Sequence, residues 1–341
     1  MKLLKCVLVL VSFIAISITF SSCENSVTNN GTPAPPDNFQ LNAWDYSDSH
    51  YFVDTLFKRS FTEFYEYDTL TSYIFANSLG HINSNEPLEV WVQCDVSNPY
   101  KRFCVGTVML GERPPQGYDS TYKIPETIMD KKFAGYFRKL QYDVEYYVDV
   151  YSGFIGLIIN IPENYYMGVV YKNSSNQNYG KGSFESYPND TLILKLNKVD
   201  TPSPETTPVA WNLKMKNVYR IPYTNLKSST TISTKFNSNN VFHDTIPGYS
   251  TPLITMLKLD KYNNTTYLPP PDGKFDWISG RTIFPSTGDV MFPMLEPFSK
   301  GIAAYGLDST YIYREMYSQK KSWAQNSPKA NLYVIKGNAV Y

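Results

Sequence analysis

Hydrophobic and polar positions follow two patterns along this chain. There is one continuous apolar run at the start, and then short stretches of period two set among polar intervals rich in proline and glycine. Val7 to Phe20 carries no charge, follows Lys2 and Lys5, and is closed by Ser21-Ser22-Cys23. Such a run has the length of a signal-peptide core and is short for a membrane span. Small residues directly ahead of a cysteine look like a lipobox. Residues 1–22 are therefore expected to be a lipoprotein signal peptide, with Cys23 acylated and held in the bilayer. An ordinary signal peptide cleaved near Ser22, or an uncleaved anchor, is the alternative. Residues 23–38 include ENSVTNNGTPAPPDN, which is too polar and proline-rich to bury a core, and read as a lipid-tethered flexible linker.

Beyond Phe39 the pattern is that of strands. Leu88, Val90 and Val92 alternate with Glu89, Trp91 and Gln93, as in a half-buried strand. Tyr142, Val144, Tyr146 and Val148 share one face of a longer alternating stretch. Ser152-Gly153 and the apolar Gly156–Ile161 follow, so an antiparallel hairpin is expected over 142–161. Met167–Tyr171, Thr191–Leu196, Thr230–Lys235 and Asn331–Tyr341 are further strands, and Ile283–Leu295 repeats the hairpin in looser form around Ser286-Thr287-Gly288-Asp289. Trp211, Met215, Val218 and Tyr219 have helical spacing, although Leu213 and Met215 also alternate as on a strand. A second short helix is expected within Tyr311–Trp323. The proline-studded connector Lys198–Pro208 is the best internal boundary. The expected fold is mainly β, with antiparallel sheets or β-sandwich-like modules, long loops and a few short helices. One β-rich module would occupy 39–200 and a second 201–341.

Composition narrows the function classes. The chain has 31 basic and 31 acidic residues and no long basic run, which leaves nucleic acid without an electrostatic footprint. The 29 tyrosines and 19 phenylalanines suit strands and aromatic contact surfaces. Cys6 leaves with the signal peptide, so Cys94 and Cys104 are the thiols of the folded part. In an oxidising compartment they either pair or stay free. His50, His81 and His243 show no paired ligand spacing, and no nucleophile elbow accompanies His243-Asp244, which reads as a surface pair. No catalytic set is expected. Asp260, Asp272 and Asp276 in LDKYNNTTYLPPPDGKFDW offer hard oxygen ligands of the kind calcium takes, but the spacing is not that of a known calcium loop. The preferred reading is an Asp-Gly turn presenting Phe275 and Trp277 to a core, with no cofactor and calcium as the lesser alternative.

At this loop the sequence resembles a family. LDKYNNTTYLPPPDGKFDWISGRTIFPSTGDVMFPMLEPF is similar to a recurrent segment of the SprA-type cell-surface proteins, with Asp272, Gly273, Phe275, Asp276, Gly280, Gly288, Glu296 and Pro297 at matching positions. Lys258 stands where the family has glycine. Glu89 and Trp91 match its E-V-W-V strand, and Trp211, Lys216, Asn217 and Tyr219 match its W-x-L-x-M-K-N-V-Y segment. Full-length members are very large outer-membrane barrels that form the type IX secretion translocon and serve gliding. A chain of 341 residues is too short for that barrel, so the resemblance implies kinship with a soluble module. What it implies is a non-enzymatic outer-membrane lipoprotein acting in type IX secretion or gliding, with a β-barrel or other secretion-apparatus protein as partner. The matched residues would then be structural. Which leaflet the lipid occupies stays open between periplasmic face and cell surface. The alternative function is a surface adhesin or glycan-binding lipoprotein.

Overall fold

Most of the period-two stretches become strands, and antiparallel pairing dominates the sheets they form. The computed structural model describes residues 37–58, 61, 88–108, 132–150, 152–173, 178–183 and 189–341. Cys23, residues 24–36 of the expected 23–38 linker, His81 and the Pro114-Pro115 loop lie outside them, whereas Asp37 and Asn38 of that linker are not free chain but pair with Ala339 and Asn338 in the first strand. In chain order the strands are β1 (Asp37–Asn42), β2 (His50–Phe52), β3 (Glu89–Gln93), β4 (Arg102–Thr107), β5 (Lys132–Lys139), β6 (Tyr146–Asp149), β7 (Phe154–Leu157), β8 (Met167–Lys172), β9 (Asn178–Tyr179) and β10 (Leu192–Lys198). Helix α1 (Pro208–Leu213) leads to β11 (Val218–Arg220), β12 (Thr231–Ser238) and β13 (Val241–His243). Helix α2 (Leu253–Met256) precedes β14 (Ile283–Phe284) and β15 (Asp289–Met291). Helices α3 (Glu315–Ser318) and α4 (Lys321–Ala324) come before β16 (Tyr333–Ala339).

Five strands close on themselves in the order β10-β4-β5-β3-β8, because β10 also pairs β8. The ring is antiparallel except for the parallel pair β10–β4, and closure leaves these strands no free edge. Trp91, Cys104, Phe137, Val170, Leu192, Leu194 and Leu196 fill one core, while Val90, Val92, Met167 and Val169 join a second one with the sheet β2-β7-β6. This explains why Glu89–Gln93 is buried on both faces instead of half-buried. A third core collects Phe39, Tyr46, Ile232, Phe236, Phe292, Tyr313 and Tyr333 beneath the sheet β1-β16-β12-β13. Side chains from before and after the 198–208 connector therefore share cores. Among the described residues no helix is long and apolar enough to cross a membrane.

The hairpin forms, with Tyr146 opposite Leu157 and Asp149 opposite Phe154, but it is shorter than expected. Tyr142 and Val144 are 53% and 54% exposed and do not belong to its inner face. Asp143 takes φ 58, and the Glu145 carboxylate accepts from the Gln141 backbone at 2.9 Å and from both Arg138 terminal nitrogens at 3.1 and 2.8 Å. A tight turn thus interrupts the alternation before β6 begins. The helix expected through Tyr219 stops at Leu213, because Val218 to Arg220 pair with β15 instead. The later one is broken into a 3-10 turn at Ser309–Tyr311 followed by α3 and α4, with Lys320 extended between them.

Two glycines with positive φ separate backbone strain from steric exclusion. Gly273 has φ 80 and open space where a Cβ would lie, whereas Gly288 has φ 73 and the Tyr223 carbonyl oxygen 2.1 Å from that point. Gly273→Ala should cost roughly 1–2 kcal/mol, the left-handed penalty alone. Gly288→Ala should cost a further ~1–3 kcal/mol, since the β14–β15 turn must shift away from a backbone atom. Denaturation midpoints measure both, and equal losses would contradict this placement of the turn.

Candidate functional site

Three clusters of polar side chains stand out. The first is organised by Asp289 on β15, which is fully buried. Arg220 on β11 reaches it with Nε at 2.8 Å and Nη2 at 2.9 Å, and also donates to the Leu157 carbonyl at 3.0 Å. Thr287 Oγ1 donates at 2.6 Å and the Tyr147 hydroxyl at 3.1 Å. His50 on β2 places Nε2 2.9 Å from the Tyr147 hydroxyl and 3.3 Å from Asp289 Oδ2, with Nδ1 2.8 Å from Ser47 Oγ. Burial alone would raise the Asp289 carboxyl, but His50 and Arg220 outweigh it and hold the group well below the usual carboxylate range. The cluster has the ion-pair and hydrogen-bond saturation of a structural clamp.

The second is Glu89, buried at the start of β3. It accepts from Trp91 Nε1 at 2.9 Å, Lys139 Nζ at 2.6 Å and the Ser183 backbone at 2.9 Å. Burial would raise this carboxyl too, and the Lys139 and Ser183 hydrogen bonds lower it instead.

The third is a cleft of about 540 Å³. Among the described residues its lining includes Lys58, Lys214, Lys216, Lys258 and Lys300 against one carboxylate, Glu296, with Phe52, Met215, Met294, Leu295 and Ala304 as apolar wall. The residues between α1 and β11 supply Lys214 to Lys216, and the Glu296-Pro297 turn after β15 supplies the facing side. Lys216 Nζ lies 3.8 Å from the centroid of the Trp211 ring and 3.4 Å from the Tyr317 carbonyl, and the Trp211 indole donates to the same carbonyl at 3.2 Å. Both contacts favour the ammonium form. Burial, with Lys58 and Lys214 nearby, nonetheless draws the Lys216 amine down to about 7. Lys58 is also lowered, by burial first and with Lys300 adding to it, against the opposing pull of Glu296. Chemically, this arrangement favours an anion.

The sequence-selected residues therefore divide. Trp211, Lys216, Glu296 and Pro297 meet at or beside the cleft. Asn217 exchanges hydrogen bonds with the Phe292 backbone, at 2.8 Å in each direction, and the Tyr219 hydroxyl donates to the Ala43 carbonyl at 2.7 Å. Asp260, Asp272 and Asp276 turn their carboxylates onto backbone N–H groups. Asp260 accepts from Asp272 and Gly273, Asp272 from Asn264 and Lys274, and Asp276 from Lys261 and Tyr262. Burial, then Asp260 and Asp272, push Asp276 up to about 6. Among the described residues no cluster of acidic, histidine or cysteine side chains is arranged to hold a metal. Phe275 is buried and Trp277 half-buried, and Gly280 lies in the following turn with φ 77.

Cys94 and Cys104 are free thiols. Cys94 bonds to the Tyr136 backbone on one side of β5 and Cys104 sits opposite Gly135 on the other. Two strand spacings, roughly 9–10 Å, separate them, beyond the ~7 Å a disulfide spans. His243 and Asp244 are exposed at β13, as a surface pair should be.

Sequence reasoning missed Lys58, Lys300 and Tyr317 at the cleft, and His50, Arg220 and Asp289 at the clamp. The local signal it passed over was Lys-Met-Lys at 214–216, three residues past Trp211. No family model matches the chain, and no curated protein matches it.

Asp289→Asn should destabilise the fold by about 3 kcal/mol, the lower end for a broken buried pair, because half-buried Arg220 then loses its counter-charge. The native carboxyl lies below its unfolded value of about 3.9, so its contribution is complete above that pH and fades as pH falls toward the native value. Acid titration of stability should therefore show a step below pH ~4 that the Asn variant lacks.

Proposed function

We propose that the chain is a non-enzymatic lipoprotein of the outer membrane, related to a soluble module of the SprA-type proteins. In this reading it serves type IX secretion or gliding by holding a protein partner in the lysine-lined cleft. The observation that carries the proposal is where the resembling segments lie. Trp211-to-Tyr219 and the stretch ending Leu295-Glu296-Pro297-Phe298 are far apart in sequence, yet together they supply Asn212, Lys214, Met215, Lys216, Leu295 and Glu296 to one cavity. Their meeting at a concave, charged surface supports a binding role in addition to packing. The lining is rich in lysine and methionine, and methionine adapts its shape to a partner at small cost. The β-sandwich-like character expected of the two modules belongs to this proposal as well.

A second reading has its own support. Tyr100 is 81% exposed, and Phe103 on β4 faces Tyr136 on β5 with ring centroids 5.7 Å apart at the surface. Such rings stack on sugars, so a glycan-binding or adhesive role competes with the secretion role.

Two measurements decide. Cys23→Ser should move the protein from the membrane fraction to the soluble one and abolish labelling by a fatty-acid probe. Deleting the gene should leave type IX cargo inside the cell. Cargo secretion that continues undiminished in the deletion strain, with glycan-array binding by the purified protein, would favour the adhesin reading.

A further inference from the structure

Among the described residues, the ion pairs present leave Lys58 and Lys216 in the cleft without a direct carboxylate contact. Glu296 is engaged by Lys300 at 2.6 Å. Asp48, just outside, is shared between Lys214 and Lys321. Lys58 and Lys216 direct their hydrogen bonds to neutral oxygens, the Asn212 amide at 3.1 Å and the Tyr317 carbonyl at 3.4 Å. Among the described residues, these two partly withdrawn ammonium groups feel Glu296 only at a distance, while it is bonded to Lys300, and they face the cavity beside the Met215, Met294 and Leu295 wall. Mutual repulsion among these cations is unfavourable in the empty protein, and an incoming anion would relieve it.

Resting on the binding role proposed above, we infer that the cleft takes an acidic peptide segment of a partner protein. Its carboxylates lie against Lys58, Lys214 and Lys216, and an apolar side chain packs on Met215, Met294 and Leu295. A small inorganic anion would satisfy the lysines and leave the apolar wall in water. Nucleic acid fits less well, because the chain as a whole carries no net positive charge and has no basic track to follow a phosphate backbone. At about 540 Å³ the cavity admits a few side chains, within the usual range of roughly 300–1,000 Å³ for ligand sites. Charge-assisted N–H···O contacts at about 2.7–2.9 Å would supply orientation, and the apolar wall would supply area.

The test uses the detergent-solubilised full chain and two fluorescent peptides, acetyl-Asp-Glu-Leu-Glu-Phe-Asp-amide and its neutral counterpart acetyl-Asn-Gln-Leu-Gln-Phe-Asn-amide. The acidic peptide should bind at least ~10-fold more tightly, a difference of one charge-assisted contact or more. Lys58→Glu should remove most of that preference, while Lys227→Glu, far along the chain and bonded to the Tyr341 carbonyl, should leave it unchanged. Should Lys58→Glu disturb folding, the wild-type salt dependence serves instead, and the preference should shrink as ionic strength rises. Equal affinity for the two peptides, failure of the acidic one to bind, or its displacement by equimolar inorganic phosphate would overturn the proposal, the last by indicating a simple anion site. Lost cargo secretion with no peptide binding would sink this inference and leave the secretion role standing. Peptide binding with intact secretion would do the reverse.

Discussion

Asp289 is withdrawn from water and still ionised, which a protein interior tolerates only when the charge is paired and every lone pair is used. Arg220 grips it with two nitrogens from the neighbouring strand, and Tyr147, Thr287 and His50 complete the shell. These partners belong to two different three-stranded sheets, β2-β7-β6 and β11-β15-β14. The carboxylate therefore fixes where β11 and β15 lie against the earlier half of the chain. Both walls of the cleft grow from those strands, one just before β11 and the other just after β15. A directional ionic clamp gives a register that apolar packing alone would leave looser, and the lysines inherit their positions from it.

The cleft carries the opposite logic. Where Asp289 and Glu89 are each matched by a cation, Lys58 and Lys216 hydrogen-bond, among the described residues, to neutral oxygens and, for Lys216, lie over the face of Trp211, with Glu296 acting on them only at a distance. Withdrawing an ammonium from water without a counter-ion is destabilising, and the lowered Lys216 amine records that cost. The protein can tolerate it because the closed ring of β3, β4, β5, β8 and β10 and the large aromatic core around Tyr219, Phe292 and Tyr333 supply stability elsewhere. In the proposed reading, an anionic segment entering the cleft would relieve that cost and so gain affinity.

Local chemistry made some of this legible in the sequence. The 146–157 hairpin follows from period-two alternation and a glycine turn, and the Asp272-Gly273 turn from its dipeptide, with Gly273 at φ 80. Alternation over-reached at Tyr142 and Val144 because a side-chain clamp, Arg138 with Glu145, decides where β6 begins. Glu89 looked like the solvent face of a strand. Its burial depends on Lys139 and Ser183, which approach from 50 and 94 residues away. Apart from Ser47, His50 pairs with residues 97 and more positions distant, and no local window holds that information. The two thiols, close in sequence, are parted by β5, an insertion that only the sheet order reveals. Trp211 and Lys216 were visible as a motif, and their meeting with Glu296 was not.

The central proposal is that the lysines of the cleft, among the described residues poorly matched by carboxylates, take up an anionic segment. Its most direct test is the titration of the Lys216 ammonium, followed by nitrogen-detected NMR with Lys216→Arg to assign the signal, in the free protein and with the acidic peptide bound. The account predicts a midpoint near 7 in the free protein, moving upward when carboxylates arrive. A midpoint at the ordinary lysine value of about 10.4, unchanged by peptide, would contradict it.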